Sequence, residues 1–155
     1  GYGVLSNHVF SNGKVFDSVR LRGGGSSFPL RKDNIEQGLQ FYEIDGMEVW
    51  KQVVQYQPKA IRGSLEKIDK NIGDVDFFIF HQANLRLIEY LMGKMRQTME
   101  KTYTNVEKYG NTADASQAIT LCDTIQKKLI KRGDLVVISG VGAGFTFGST
   151  VMRYY

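Results

Sequence analysis

Short apolar runs alternating with amphipathic stretches constrain this chain more than any other feature. Val75 to Phe80 is apolar apart from Asp76, and Leu135 to Ser139 repeats the form. Runs so short and bounded suit strands buried on both faces. Val49, Val53 and Tyr56, then Ile61, Leu65 and Ile68, recur at spacings of three and four, the period of a helix from about Gly46. Pro58 lies between the two groups and marks a kink or a new start. Leu87, Ile88, Leu91, Met92 and Met95 give one face to a second helix, beginning near Asn84 or Leu85. Residues 113 to 131 read as a third, with Ala115, Ala118, Ile119, Cys122, Ile125, Leu129 and Ile130 as its inner stripe, stopped by Arg132-Gly133-Asp134. Val4 to Phe10, Tyr103 to Tyr109 and Phe145 to Tyr155 read as further strands. Residues 11 to 34, with Gly23-Gly24-Gly25-Ser26-Ser27 and Pro29, read as surface loop carrying short strands such as Val15 to Leu21. The order predicts one α/β domain over residues 1–155, a mixed five-stranded sheet with packed helices.

Composition narrows the classes. Hydrophobic residues make up 42% and charged residues 23% of 155 residues, which suits a globular domain with a real core. No apolar run approaches the length of a membrane span, and the opening Gly-Tyr-Gly-Val-Leu-Ser lacks the layout of a signal peptide. It reads as a start cut at a domain boundary. The single cysteine cannot form an internal disulfide, so a reducing cytoplasm is the expected setting. The net charge of +4 is spread along the chain with no aromatic-interleaved basic run, and no nucleic-acid or membrane partner is expected.

Three unusual segments follow predicted strands: His81 after Phe80, Asn111 after Tyr109, and Gly140-Val141-Gly142-Ala143-Gly144 after Ser139. In open α/β sheets, ligands gather beyond the carboxyl ends of parallel strands, so an imidazole, an amide and an exposed backbone loop are expected at one rim. Taken singly, each has a plainer reading: a packed histidine, a turn or N-cap asparagine, and a tight turn. The glycine loop is no dinucleotide fingerprint, because position 145 is Phe and a strand follows. Cys122, placed on the inner stripe of a helix, reads as a packing residue.

Phe80-His81-Gln82-Ala83-Asn84-Leu85-Arg86, Tyr109-Gly110-Asn111-Thr112, Gly133-Asp134-Leu135-Val136-Val137 and Gly142-Ala143-Gly144-Phe145-Thr146-Phe147-Gly148 occur in this order. Together they resemble the C-terminal domain of the β-ketoacyl-acyl-carrier-protein synthase III family. The resemblance implies the C-terminal half of a thiolase-like fold. It also implies a Cys-His-Asn triad in which this chain supplies His81 and Asn111 while the N-terminal half supplies the cysteine. The implied reaction is decarboxylative condensation of an acyl thioester with malonyl-acyl-carrier protein, leaving this chain inactive alone. Two neutral donors, His81 Nε2–H and the Asn111 amide, suit a malonyl enolate oxygen, since neither must ionise to hold it. The Ala143 N–H matches a position that serves the second oxyanion, flanked by the small residues Gly142 and Gly144. Asn84 matches a buttress of the His81 loop. Arg86, Lys51 and Lys94 match basic positions where the acidic carrier protein or acyl-CoA meets the pocket mouth. No cofactor and no metal are implied; the implied partners are the N-terminal half, acyl-carrier protein, acyl-CoA and a second copy in a cytoplasmic homodimer. Ala113, Asp114 and Phe147 depart from the usual pattern, which puts substrate range in question. The alternatives are a related acyltransferase of polyketide, other secondary or surface-polysaccharide metabolism, or an inactive partner subunit.

Overall fold

The computed structural model describes residues 1–155. Strand β1 (Gly3–Ser11) opens the chain, and β2 (Val19–Leu21) and β3 (Tyr42–Ile44) pair antiparallel as a small separate ribbon. Helix α1 (Gly46–Glu66) follows, capped by the Asp45 carboxylate accepting from the Glu48 N–H (3.0 Å). It runs through Pro58 without a break. The missing N–H there costs one rung of the helix, and burial of Gln57, Pro58, Ala60 and Ile61 against the sheet offsets it. Then come β4 (Phe77–Phe80), α2 (Leu85–Lys94), the one-turn α3 (Val106–Tyr109), α4 (Ala115–Gln126), β5 (Leu135–Gly142) and β6 (Thr146–Arg153).

The main sheet has four strands in the order β1-β6-β5-β4, with β4 and β5 parallel and the other pairs antiparallel. The expected fifth strand, Tyr103 to Tyr109, does not form. Thr102 makes a single parallel bridge to Phe78, after which Asn105 turns inward and its carbonyl accepts from the Tyr109 N–H (3.0 Å), closing one helical turn. Long-range bonds of the buried Asn105 side chain to Thr120 and Asp123 of α4 win over the β-propensity of the flanking residues. The third helix also stops early, at Gln126, where Lys128 takes a left-handed backbone (φ 58°).

Every residue of β4 is buried, and alternation divides them between two layers. Phe78 and Phe80 join the main core with Ile61, Leu65, Leu91, Met92 and Phe147 under α1 and α2, whereas Phe77 and Ile79 join Val136 and Ile130 on the opposite face. The α4 stripe corrects expectation. Its buried residues are Ser116, Thr120 and Thr124, while Ala115, Ala118, Cys122, Ile125 and Leu129 are exposed. Cys122 is thus a free, exposed thiol, not a packed one. No helix is long and apolar enough to cross a membrane.

Candidate active site

Strand β4 hands the chain to His81 at the carboxyl edge of the parallel pair, where the His81 N–H still bonds the Ser139 carbonyl of β5 (3.0 Å). The imidazole is half-buried, and its Nδ1 lies 2.6 Å from the Ser116 hydroxyl on α4. That hydroxyl also accepts the Gln82 main-chain N–H (3.2 Å). Gln82 is buried and bonded at both ends of its amide: Nε2 to the Phe80 (3.1 Å) and Tyr103 (3.4 Å) carbonyls, Oε1 from the Asn105 N–H (3.1 Å). Asn105 in turn meets Thr120 (3.1 Å) and Asp123 (2.9 Å) of α4. A buried polar network therefore holds the His81 turn. Burial pushes the His81 pKa below its ordinary value, against the opposing pull of the Ala113 backbone and the Asp114 carboxylate. At neutral pH the ring is an uncharged donor and acceptor.

Asn111 follows α3, not a strand, through Gly110 in the left-handed region (φ 68°). Its side-chain oxygen accepts from the Ala113 N–H (2.9 Å), an Asx turn that draws Ala113 to φ 49°. Because a main-chain N–H can only donate, the asparagine oxygen must face Ala113, which leaves the amide Nδ2 turned away from that bond.

His81, Asn111, Gly142 and Ala143 line one open groove of about 790 Å³. Ala113, Asp114 and Gln117 extend its polar rim, and Val9, Val19, Tyr42, Ile44, Ile138 and Val141 give it an apolar wall. A Cβ at Gly140 would strike the Gln117 amide, whereas a Cβ at Gly142 would meet open space. Gly144 takes φ 130° in the turn to β6 and does not line the groove. The β2–β3 ribbon, whose first strand falls within the short strand expected at Val15 to Leu21, supplies Val19, Tyr42 and Ile44, and Glu43 fastens it to Arg20 and Arg22 (both 2.8 Å). The hydrogen bond from Arg20, and then Arg22, holds the Glu43 carboxyl below its usual range. Alternation of Val19 with Leu21 and of Tyr42 with Ile44 was the available signal for this ribbon. Ser116, Gln82 and Asn105 were also missed as supports; polar residues at 116, 120 and 124, one helical turn apart, mark a polar face of α4 but not what it meets.

The remaining expected residues lie outside the groove. Asn84 caps α2 by accepting the Leu87 N–H (3.2 Å). Arg86, in the first turn of α2, pairs with Glu89 (2.9 Å), and Lys51 on α1 pairs with Glu48 (3.6 Å). Lys94 is exposed in the last turn of α2.

Residues 65–154 match the family model for the C-terminal region of 3-oxoacyl-[acyl-carrier-protein] synthase III. The chain is 36% identical over 152 residues to a β-ketoacyl-[acyl-carrier-protein] synthase III of Clostridioides difficile, covering 98% of this chain and 46% of that protein. Identity to the same-named protein of Fusobacterium nucleatum is 36% over 154 residues, covering 99% and 47%. The crystal structure of 3-oxoacyl-[acyl-carrier-protein] synthase III from Aquifex aeolicus superposes with a TM-score of 0.82 at 30% identity, over 97% of this chain and 44% of that one. With the fold, the groove and these matches in agreement, the chain belongs to the 3-oxoacyl-[acyl-carrier-protein] synthase III family and corresponds to its C-terminal domain. It spans a little under half the length of those relatives.

Proposed function

We propose that this chain is the C-terminal half of a decarboxylating condensing enzyme, in which His81 and Asn111 hold the enolate oxygen formed from a malonyl thioester. The observation that carries the reading is their opening, with Ala143, into a single groove. Loss of carbon dioxide leaves negative charge on the thioester oxygen. A neutral imidazole N–H and a carboxamide N–H stabilise that charge without being consumed by it. The depressed His81 pKa suits this role, because an uncharged ring keeps its donor without attracting other anions. The carbanion then attacks an acyl group carried on a cysteine of the N-terminal half, and the Ala143 N–H serves the oxyanion of that second step. Open space over Gly142 leaves room for the thioester. The apolar wall from Val9 to Ile44 suits the acyl chain.

The N-terminal half is the first partner. The uncovered apolar residues of α4, with Val4 (67% exposed) and Val9 (62% exposed) on the edge strand β1, supply a surface for it. Arg86, Lys51 and Lys94 form a basic margin for acyl-carrier protein or acyl-CoA; the ion pairs of the first two are surface pairs that an incoming anion can replace at small expense. Homodimerisation and a cytoplasmic setting complete the proposal. The test is Asn111→Ala in the protein with both halves, with acyl-enzyme formation and carbon dioxide release measured separately. Condensation is expected to fall by about a hundred- to a thousandfold, and self-acylation by much less. Collapse of acylation with decarboxylation intact would reverse the roles assigned here.

A further inference from the structure

We propose that Ser116 is a positioning residue that fixes the His81 imidazole as its Nε2–H tautomer. The inference deepens the reading of His81 as a neutral donor, and its first measurement does not depend on that reading. The Gln82 main-chain N–H can only donate, so the Ser116 hydroxyl oxygen accepts there (3.2 Å). Ser116 is 2% exposed, which keeps its own hydroxyl proton away from water. The one other hydrogen-bonding partner of that hydroxyl is His81 Nδ1, at 2.6 Å. Were the ring proton on Nδ1, the hydroxyl would accept twice and bury its own proton with no acceptor. The arrangement that satisfies every group runs from Ser116 O–H to Nδ1 and leaves the ring proton on Nε2.

Gln82 cannot release the serine, because its side chain is tied to the Phe80 and Tyr103 carbonyls and to the Asn105 N–H. The other groups that bear on the ring are the Ala113 backbone and the Asp114 carboxylate, and both favour a protonated ring. A carboxylate at the place of Ser116 can only accept, so it would hold the neutral ring's proton on Nδ1 and would also add to that pull. A hydroxyl donates to Nδ1 without charge and leaves the ring proton on Nε2, as a neutral donor requires.

Histidine-selective ¹⁵N labelling of the protein with both halves gives the readout, with the His81 signals identified by their loss in His81→Gln. The expected wild-type spectrum at pH 7.5 shows Nδ1 unprotonated and Nε2 as N–H. A proton on Nδ1, or an averaged mixture, would overturn the assignment. Ser116→Ala is expected to give a mixture of tautomers, and Ser116→Thr, which keeps the hydroxyl, a single one. Retention of one Nε2–H tautomer in Ser116→Ala would also overturn it. In kinetics, Ser116→Ala should lower kcat for malonyl decarboxylation by roughly ten- to a hundredfold with KM little changed. This is less than the ~10⁴ that a wrong tautomer costs a serine-protease triad, because alanine frees the ring and does not force it. A wild type with the expected tautomer but no decarboxylation would sink the condensing-enzyme reading and leave the Ser116 assignment standing.

Discussion

The two faces of the main sheet follow opposite rules. Under α1 and α2 the buried helix residues are mostly apolar, with Val53, Ala60, Ile61 and Leu65 from one and Leu87, Ile88, Leu91 and Met92 from the other. Under α4 they are Ser116, Thr120 and Thr124, and the apolar stripe looks outward. The first face is completed within the chain. On the second, α4 carries hydrogen bonds inward and leaves Ala115, Ala118, Cys122 and Ile125 uncovered, as a helix does when its main neighbour lies elsewhere. Under the proposed function that neighbour is the N-terminal half. One face stabilises this domain; the other sets His81 and offers a joining surface.

The largest expected effect tests that division directly. Ile61→Ala, at a fully buried site, should cost about 2–5 kcal/mol in urea unfolding of the 155-residue chain. Leu129→Ala, at 45% exposure beyond α4, should stay within about 0.5 kcal/mol. Equal costs would end the comparison. Attaching the N-terminal half sharpens it, because Leu129→Ala should then become costly and exposed Cys122 should lose its reactivity toward a thiol-alkylating reagent. A Cys122 that alkylates equally fast in both forms would mean that something other than α4 is covered.

A smaller effect is expected from the polar face itself. Asn105 is 2% exposed and ties Thr120 and Asp123 to the turn that carries Gln82. Asn105→Ala strands parts of that network, at about 1–3 kcal/mol. The His81 turn should loosen with it, seen as faster amide exchange at Gln82. A stability loss without faster exchange would detach the network from the site.

Legibility in the sequence followed the same division. Helices α1 and α2 and strands β1, β4, β5 and β6 were readable, because their period and their burial point the same way. Periodicity showed that α4 has an apolar face but not what covers it, and Cys122 was misplaced for that reason. The strand expected at Tyr103 to Tyr109 failed on a single residue, since nothing local announces that Asn105 is buried and bonded to a helix 18 positions on. At the site, His81, Asn111 and the glycine loop stood out by type and position. Ser116 did not, because its partner is 35 residues away and only the fold brings the two together. The β2–β3 wall was hidden for a similar reason, its strands being short and separated by a glycine-rich loop.

The smallest effect concerns pH, and it too should belong to one face. No acidic or basic side chain is among the fully buried residues. His81, on the α4 side, has its pKa lowered chiefly by burial. As pH falls, the unfolded chain takes up the histidine proton first, near the ordinary value of 6.5, while the folded chain resists. Stability from this group is therefore complete above that value and is lost as pH falls through the lower folded value. Glu43, held below the carboxylate range by Arg20, acts at more acidic pH and leaves this window clear. The urea midpoint should accordingly decline between pH 7.5 and 5.5, and His81→Gln should remove that decline. Ile61→Val, on the other face, should lower the midpoint by a similar amount at every pH in the window. A wild-type midpoint that stays level, or a slope that survives His81→Gln, would show that burial of the imidazole carries no proton-linked stability.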